Sequence, residues 1–312
     1  MKFDDKRKDH LAQISLEKSR VDLSSPIIFL CGGLVNVKEV ESTSIRDAFL
    51  SYVSAKGCKT ADQITLAENF KDWIHDSVYK DLLDFENDIA HISSLIVIIL
   101  ESPGALAELG LFVRNHSLNK KLIIFVNDEH YNADSFISLG PLRYLEAIEK
   151  RNVCAYPWDL NNIDESLQES LPEMHDDLLS TMSCLDNTEV FDIDNEGHIS
   201  FVLYEFIRLF KALKLSEIES YSKEIGIDLK RDKVRRLLFL LQKFELISVG
   251  KRGHDEYYFP IKDIDKINFG GHFDKNKVKV STMQYYMLND KESRRFNFIK
   301  GLMKKEKEEA VD

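Results

Sequence analysis

FENDIAHISSLIVIILESPGALAELG, residues 85–110, reads as the end of a helix, a buried strand, a short polar break and a second helix opening at Gly104. The run LIVIIL at 95–100 carries no polar side chain, the pattern of a parallel strand covered on both faces. Glu101-Ser102-Pro103-Gly104 breaks that run, and Glu108 follows one turn into the next helix. Open α/β sheets keep their ligands just beyond the carboxyl ends of central strands. A carboxylate at that address is a candidate for chemistry. The alternative is a first-turn Glu that only favours the helix dipole.

Working outward, strand and helix alternate on both sides of this stretch. Residues 27–30 form an apolar strand running into Cys31-Gly32-Gly33, and Ile45, Phe49 and Val53 follow at helical spacing up to Gly57. Two glycines after a strand permit either a close backbone approach to a ligand or simply a tight turn. The full GxGxxG fingerprint is absent, so no dinucleotide-binding Rossmann turn is indicated. Residues 63–67 suit a short strand, and the apolar spacing from Trp73 to Ile92 suits one or two helices. A helix over 105–117 leads to the buried strand KLIIFV at 121–126. SFISLGPLRY at 135–144 holds Gly-Pro and is expected to turn back over the sheet edge, and 153–156 suits a last strand. Alternation over 27–157 predicts an α/β fold, a doubly wound parallel sheet of about five strands.

Beyond it the composition changes. Residues 159–196 are rich in Asp and Glu with weak apolar periodicity, and are read as a helical connector. DIDNEG at 192–197 lacks the twelfth-position Glu of a calcium loop and is rejected as one. The expected domains are 1–158, a connector over 159–200, and 201–312. In the last, helices are expected over 201–213, 215–225 and 231–244, the third with an apolar stripe at Val234, Leu237, Leu238, Leu241 and Phe244. Lys233, Arg235 and Arg236 fall off that stripe, and Lys251 and Arg252 mark a basic hairpin tip. Helix, helix, basic helix, basic hairpin is the layout of an α+β winged helix-turn-helix. Those five residues are candidates for nucleic-acid or partner contacts; a solvated face that meets protein is the other reading. The aromatic and basic tail from Ser281 is read as core packing followed by a frayed lysine-rich end.

Composition bounds these readings. The 312 residues, 44% hydrophobic and 30% charged, allow about two domains with a real core. A formal charge of −11 argues against a protein that coats nucleic acid or a membrane surface, but leaves room for a local basic face. Cys31, Cys58, Cys154 and Cys184 lack metal-ligand spacing and read as reduced thiols, with no metal site expected. The first residues lack a signal-peptide core and no run spans a membrane, so a cytoplasmic location is expected.

IIFLCGG, ENDIAHI, ESPGALAELG and SFISLGPLRYL, in this order, resemble the effector proteins of retrons. These are nucleoside 2-deoxyribosyltransferase-like N-glycosidases encoded beside a reverse transcriptase and its multicopy single-stranded DNA (msDNA). The resemblance covers residues 26–157 well and the later part only in kind. It implies a flavodoxin-like sheet. The family's nucleophile is the Glu of a G-x-x-x-E-x-G segment, matched by Gly104–Gly110, which carries the role to Glu108. Its N-D-[LI] element is matched by Asn87-Asp88-Ile89, so Asp88 inherits a binding or proton-transfer role. Where the family places an Asp two residues before the first glycine, this chain has Ser102, with Glu101 one position earlier. Either Glu101 substitutes as the acid or the leaving group needs none.

Nicotinamide in NAD leaves from a cationic state and needs little protonation, so the resemblance implies NAD as substrate and no cofactor. Cleavage of nucleosides or nucleotides stays open. Cys31, Gly32, Gly33, Ser102, Gly104 and Arg143 complete the expected substrate site. An anti-phage toxin restrained by reverse transcriptase and msDNA through its C-terminal domain is the leading expectation, with higher-order assembly left open. A non-catalytic winged-helix DNA-binding regulator is the competing one.

Overall fold

A computed structural model describes residues 7–36, 41–57, 60–66 and 78–309. Cys58 and the helical segment expected around Trp73 lie outside the described residues. Contacts divide the chain into two units. The terminal unit takes Met1–Ser24, Asp72–Asp88 and Asn187–Asp312, and the sheet unit takes Ser25–Lys71 and Ile89–Asp186. Strand β1 (Ile14–Asp22) belongs to the first. The chain then builds β2 (Ile28–Cys31), β3 (Ile64–Thr65), β4 (Leu95–Ile99), β5 (Leu122–Asn127) and β6 (Val153–Tyr156) in the sheet unit. It returns for β7 (Thr188–Val190), β8 (Ile247–Arg252), β9 (Asp255–Pro260) and β10 (Ile267–Gly271).

The sheet unit holds five parallel strands in the order β3-β2-β4-β5-β6. Counted within the sheet this is 2-1-3-4-5, which places the topological switch point between β2 and β4. Every residue of β4 and β5 is buried, as their continuous apolar runs require. Helix Ile45–Ala55 starts at Ser44, whose hydroxyl accepts the Asp47 N–H at 3.0 Å, and it sends Ile45, Phe49 and Val53 into the core. Phe49 meets Phe125 edge-on at 5.7 Å, and Phe125 meets Tyr156 at 5.4 Å.

Two elements differ from the sequence expectation. Residues 138–142, expected to turn over the sheet edge, form a π turn, Ser138–Leu142, that runs into helix Arg143–Ile148. Pro141 has no N–H to give an ordinary helical turn, and the turn widens there. Helix Ser170–Ser183, expected within a connector, instead packs on the sheet: Leu167, Met174 and Leu178 are in its core.

In the terminal unit β1 is the middle of an antiparallel sheet, β10-β1-β7. A short helix, Arg7–Leu11, precedes it. Helix Glu196–Phe210 is buried from Gly197 onward and is the axis of this unit. Helices Leu215–Glu224 and Arg231–Lys243 follow, then the β8–β9 hairpin, whose Gly253 at φ +62 makes the tight tip. Tyr286 and Ile299, from helices Lys275–Leu288 and Asp290–Glu309, pack with Tyr257 and Phe259 of β9, so the aromatic tail is core. No helix among the described residues is long and apolar enough to cross a membrane.

Candidate active site at the carboxyl edge of the parallel sheet

At the switch point the loops after β2 and β4 meet through Glu101. Its carboxylate accepts the N–H of Gly33 at 2.8 Å, of Ile45 at 2.6 Å and of Arg46 at 2.9 Å. The last two are orphan donors of the first turn of helix Ile45–Ala55, which an anion satisfies well. The Gly32-Gly33 turn serves this arrangement. A Cβ on Gly32 would sit 2.9 Å from Arg46 Cβ, and one on Gly33 would sit 2.6 Å from Ser44 Cβ and 2.9 Å from Glu101 Cδ. The space those glycines leave is thus filled by Glu101, Ser44 and Arg46. Cys31, the last residue of β2, is buried.

Past β4, helix Pro103–Phe112 is capped by Ser102, whose hydroxyl accepts the Ala105 N–H at 3.2 Å. Ala105, Leu109 and Phe112 form its buried stripe. Glu108 stands on one flank of that stripe, half-buried, with Oε2 withdrawn from solvent. Leu106, two residues earlier and so about 200° around the axis, stands on the opposite flank. Gly104 is unlike Gly33: only Ser102 Oγ, at 3.7 Å, would meet a Cβ there. Packing does not require a glycine at that position.

On the Leu106 flank lies a cavity of about 250 Å³. Leu100, Glu101, Ser102 and Leu106 wall it after β4, Val126 at the end of β5, His130 just beyond that strand, and Trp158 after β6. The walls are mostly apolar, and Glu108 is not among the residues that line them. His130 and Trp158 were not singled out from sequence, because nothing local marks a lone His or Trp beyond a strand. Arg143 is exposed at the start of helix Arg143–Ile148 and does not line the cavity either.

Asp88, on helix Leu82–Ile92, lies in the terminal unit together with its partners. It is 3% exposed, accepts the Tyr79 hydroxyl at 2.9 Å and lies 3.5 Å from Arg236 Nε. Burial pushes its carboxyl up to about 7, the neighbouring Glu196 carboxyl adds to this, and Arg236 opposes it. Burial, then Asp88, raise the Tyr79 hydroxyl in turn. Tyr79 and Glu196 were not foreseen from sequence.

The five expected nucleic-acid contacts divide. Lys233 pairs with Glu196, and Arg236 pairs with Asp84 at 3.1 Å as well as Asp88. Lys251 pairs with Glu256 at 2.8 Å on the surface, and Arg252 donates to the Arg294 carbonyl at 2.6 Å. Arg235 is exposed and has no ion pair among the described residues.

Comparison with known proteins gives this chemistry its setting. A model of the family described as STM3845 retron effector protein matches residues 42–249, which runs from the sheet unit into β8 and well beyond the 26–157 of the sequence resemblance. An Escherichia coli protein named "Retron Ec73 putative ribosyltransferase/DNA-binding protein" is 29% identical over 290 residues, 84% of this chain and 90% of its own. A second, "Retron Ec86 putative ribosyltransferase/DNA-binding protein", also from Escherichia coli, is 32% identical over 126 residues, 40% of this chain and 39% of its own. With more than half its length matched by the family model, the chain belongs to the STM3845 retron effector protein family.

Proposed function

We propose that this retron effector is an N-glycosidase of the nucleoside deoxyribosyltransferase-like, flavodoxin-like type, with Glu108 as nucleophile and NAD as substrate. One observation carries the reading: Glu108 stands half-buried on the helix that leaves the central strand β4 beside the switch point, where open α/β sheets bind ligands. The ribosyltransferase in the names of the relatives supports it. In the reaction the bond between the ribose anomeric carbon and the nicotinamide nitrogen breaks. Its electron pair neutralises the ring nitrogen, and the Glu108 carboxylate attacks or shields the developing oxocarbenium centre. Water then completes ADP-ribose and releases one proton. Gly104, where no packing fills the space of a side chain, lets the ribose approach the helix.

Helices Glu196–Phe210, Leu215–Glu224 and Arg231–Lys243 with the β8–β9 hairpin form the winged helix of this proposal. The bridge between Leu213 and Tyr258, which adds a short third strand to the hairpin, supports that assignment. In it Arg235 contacts nucleic acid, and reverse transcriptase with msDNA restrains the toxin through this domain. Glu101 acts here as a positioning residue. Arg143, exposed at the start of helix Arg143–Ile148, is given no part. Nicotinamide release from NAD by the purified effector, beside nucleosides and deoxynucleotides, tests the chemistry. Glu108→Gln is expected to lower turnover at least about a hundredfold, near 2.7 kcal/mol in barrier. Equal release by both proteins, or none from NAD in the presence or absence of msDNA, would overturn it.

A further inference from the structure

Among the described residues, β1 has an edge that its sheet leaves open. β7 registers only with Arg20, Val21 and Asp22, and the Phe191 N–H reaches Ser19 O at 3.0 Å as the last rung. The chain then peels away for local reasons. The Asp192 N–H is taken by His198 Nδ1 at 3.0 Å, the Asp194 N–H by the Asp192 carboxylate at 2.9 Å, and Asn195 caps helix Glu196–Phe210. On the other side β10 pairs with β1 further, through Ile14↔Gly271 and Ser15↔Gly270. There Gln13 O accepts the His272 N–H at 3.1 Å. The Ser19 hydroxyl carries that ladder across a bulge, accepting from Gly270 N at 2.9 Å and donating to Ser15 O at 2.8 Å. The backbone groups of Gln13 and Ser15 therefore serve β10. By antiparallel alternation those of Ile14 and Leu16 face the side that β7 has left.

A groove of about 810 Å³ runs along that side. Ile14, Ser15, Leu16 and Glu17 all line it, as do Val190 through Ile193, with Ile225 and Gly226 as its far wall. Successive strand residues point to opposite faces, so four in a row can line one groove only if it follows the strand's edge. Val190 and Ile193 are 56% and 48% exposed beside it. Glu17 and Asp192 are the ionisable residues of the lining, and Lys18 lies against Gly270 on the opposite edge.

We propose that this groove binds an extended, basic segment of a partner protein by strand addition. Ile14 and Leu16 supply its ladder bonds, Val190 and Ile193 cover its apolar side chains, and Glu17 and Asp192 pair with its cations. A strand is the occupant because the open surface is a row of backbone donors and acceptors, which a helix or a loop does not satisfy. The basic character follows from the two carboxylates. The assignment is independent of the glycosidase reading.

A fluorescein-labelled peptide, acetyl-Lys-Val-Thr-Val-Thr-Val-Lys-amide, titrated with the full chain by anisotropy, tests it. Comparison peptides carry Glu for Lys, or N-methyl groups on alternate residues. The lysine peptide is expected to bind at least about tenfold more tightly than either. Leu16→Pro, which removes a ladder N–H, and Val190→Asn, a neutral change at an exposed position, should each cost a similar factor. Glu17→Lys with Asp192→Lys should reverse the preference between Lys and Glu peptides. Equal binding of all three peptides, no binding of the lysine peptide, or unaltered affinity in Val190→Asn would overturn the proposal. So would a dimer in light scattering that Leu16→Pro converts to monomer, because the occupant would then be a second copy.

Discussion

Replacing Glu101 by glutamine separates a carboxylate that organises the fold from one that gives a proton to a leaving group. In the structure Oε1 accepts the Gly33 and Arg46 N–H groups and Oε2 accepts that of Ile45. Glutamine keeps one acceptor oxygen and puts an NH₂ group at the other position, donor against donor, 2.6 Å from the Ile45 nitrogen. The charge that strengthens all three bonds is also lost. A hydrogen bond to a charged group contributes about 1.5–3 kcal/mol, and an unsatisfied buried donor costs about 1–3 kcal/mol. Because Glu101 is partly exposed, water offsets some of this, and a loss of about 2–4 kcal/mol is expected. For a unit of this size each kcal/mol lowers Tm by roughly 2–4 °C, so thermal unfolding should move down by roughly 5–15 °C.

Turnover is the second axis of the same assay. Measured well below the variant's Tm, nicotinamide release should fall by less than about tenfold, since a general acid's removal costs about 10²–10⁴. Scanning calorimetry and initial rates on the same preparation give both numbers. A Glu101→Gln protein with unchanged Tm and turnover reduced a thousandfold would refute the reasoning and restore Glu101 as the acid.

Three other outcomes follow from the same geometry. Asp88 binds its proton more tightly folded than unfolded, so its contribution is complete near pH 4 and is lost as pH rises to about 7. That is worth up to about 4 kcal/mol, and Asp88→Asn should flatten the decline in a Tm–pH series; an unchanged slope would count against the assignment. Gly33→Ala must push a methyl to within 2.6 Å of Ser44 Cβ and should cost about 1–3 kcal/mol of stability in denaturant unfolding. Gly104→Ala, with only Ser102 Oγ nearby, should leave the denaturation midpoint in place and act on KM. Arg235→Ala should weaken duplex binding and lower its salt slope by about one without moving Tm. Arg236→Ala, which strips a partner from Asp84 and Asp88, should instead lower Tm.

The parts of the fold that could be read from sequence are those whose pattern is set by burial on both sides. LIVII and LIIFVN need no partner information to be recognised as inner strands, and the Gly-Gly turn after β2 announces itself. β1 hid because its partners are remote in the chain and its bulge breaks the alternation: Ser19 and Val21 are buried while Glu17 and Lys18 are exposed. Helix Ser170–Ser183 hid behind its acidic face, although Leu171, Met174 and Leu178 keep a helical spacing against the sheet. Charge was the poorest guide. Lys233 and Arg236 look like phosphate ligands in isolation, and only folding brings Glu196, Asp84 and Asp88 to them. Gly32 and Gly33 were legible as a close approach, but not which group approaches: it is the protein's own Glu101.

That last identity bears on which bond the proposed enzyme can break. At the start of helix Pro103–Phe112 the sequence has Ser102 where the resemblance implies an acid, and it left Glu101 or no acid at all as the alternatives. Ser102 accepts the Ala105 N–H as the helix cap and gives its own proton to the Gly32 carbonyl at 3.4 Å, and Glu101 is held as an acceptor by three backbone donors from two other segments. Both are committed to joining the loops after β2 and β4. A purine or pyrimidine, which leaves as an anion unless protonated, gains nothing from either. Nicotinamide departs neutral from a ring that is already cationic, and what it requires is a carboxylate to meet the positive charge left on the ribose. On the proposed reading, Ser102 in place of the acid that the resemblance implies suits a substrate that carries its own activation, with Glu108 as the one group proposed to touch the reacting carbon.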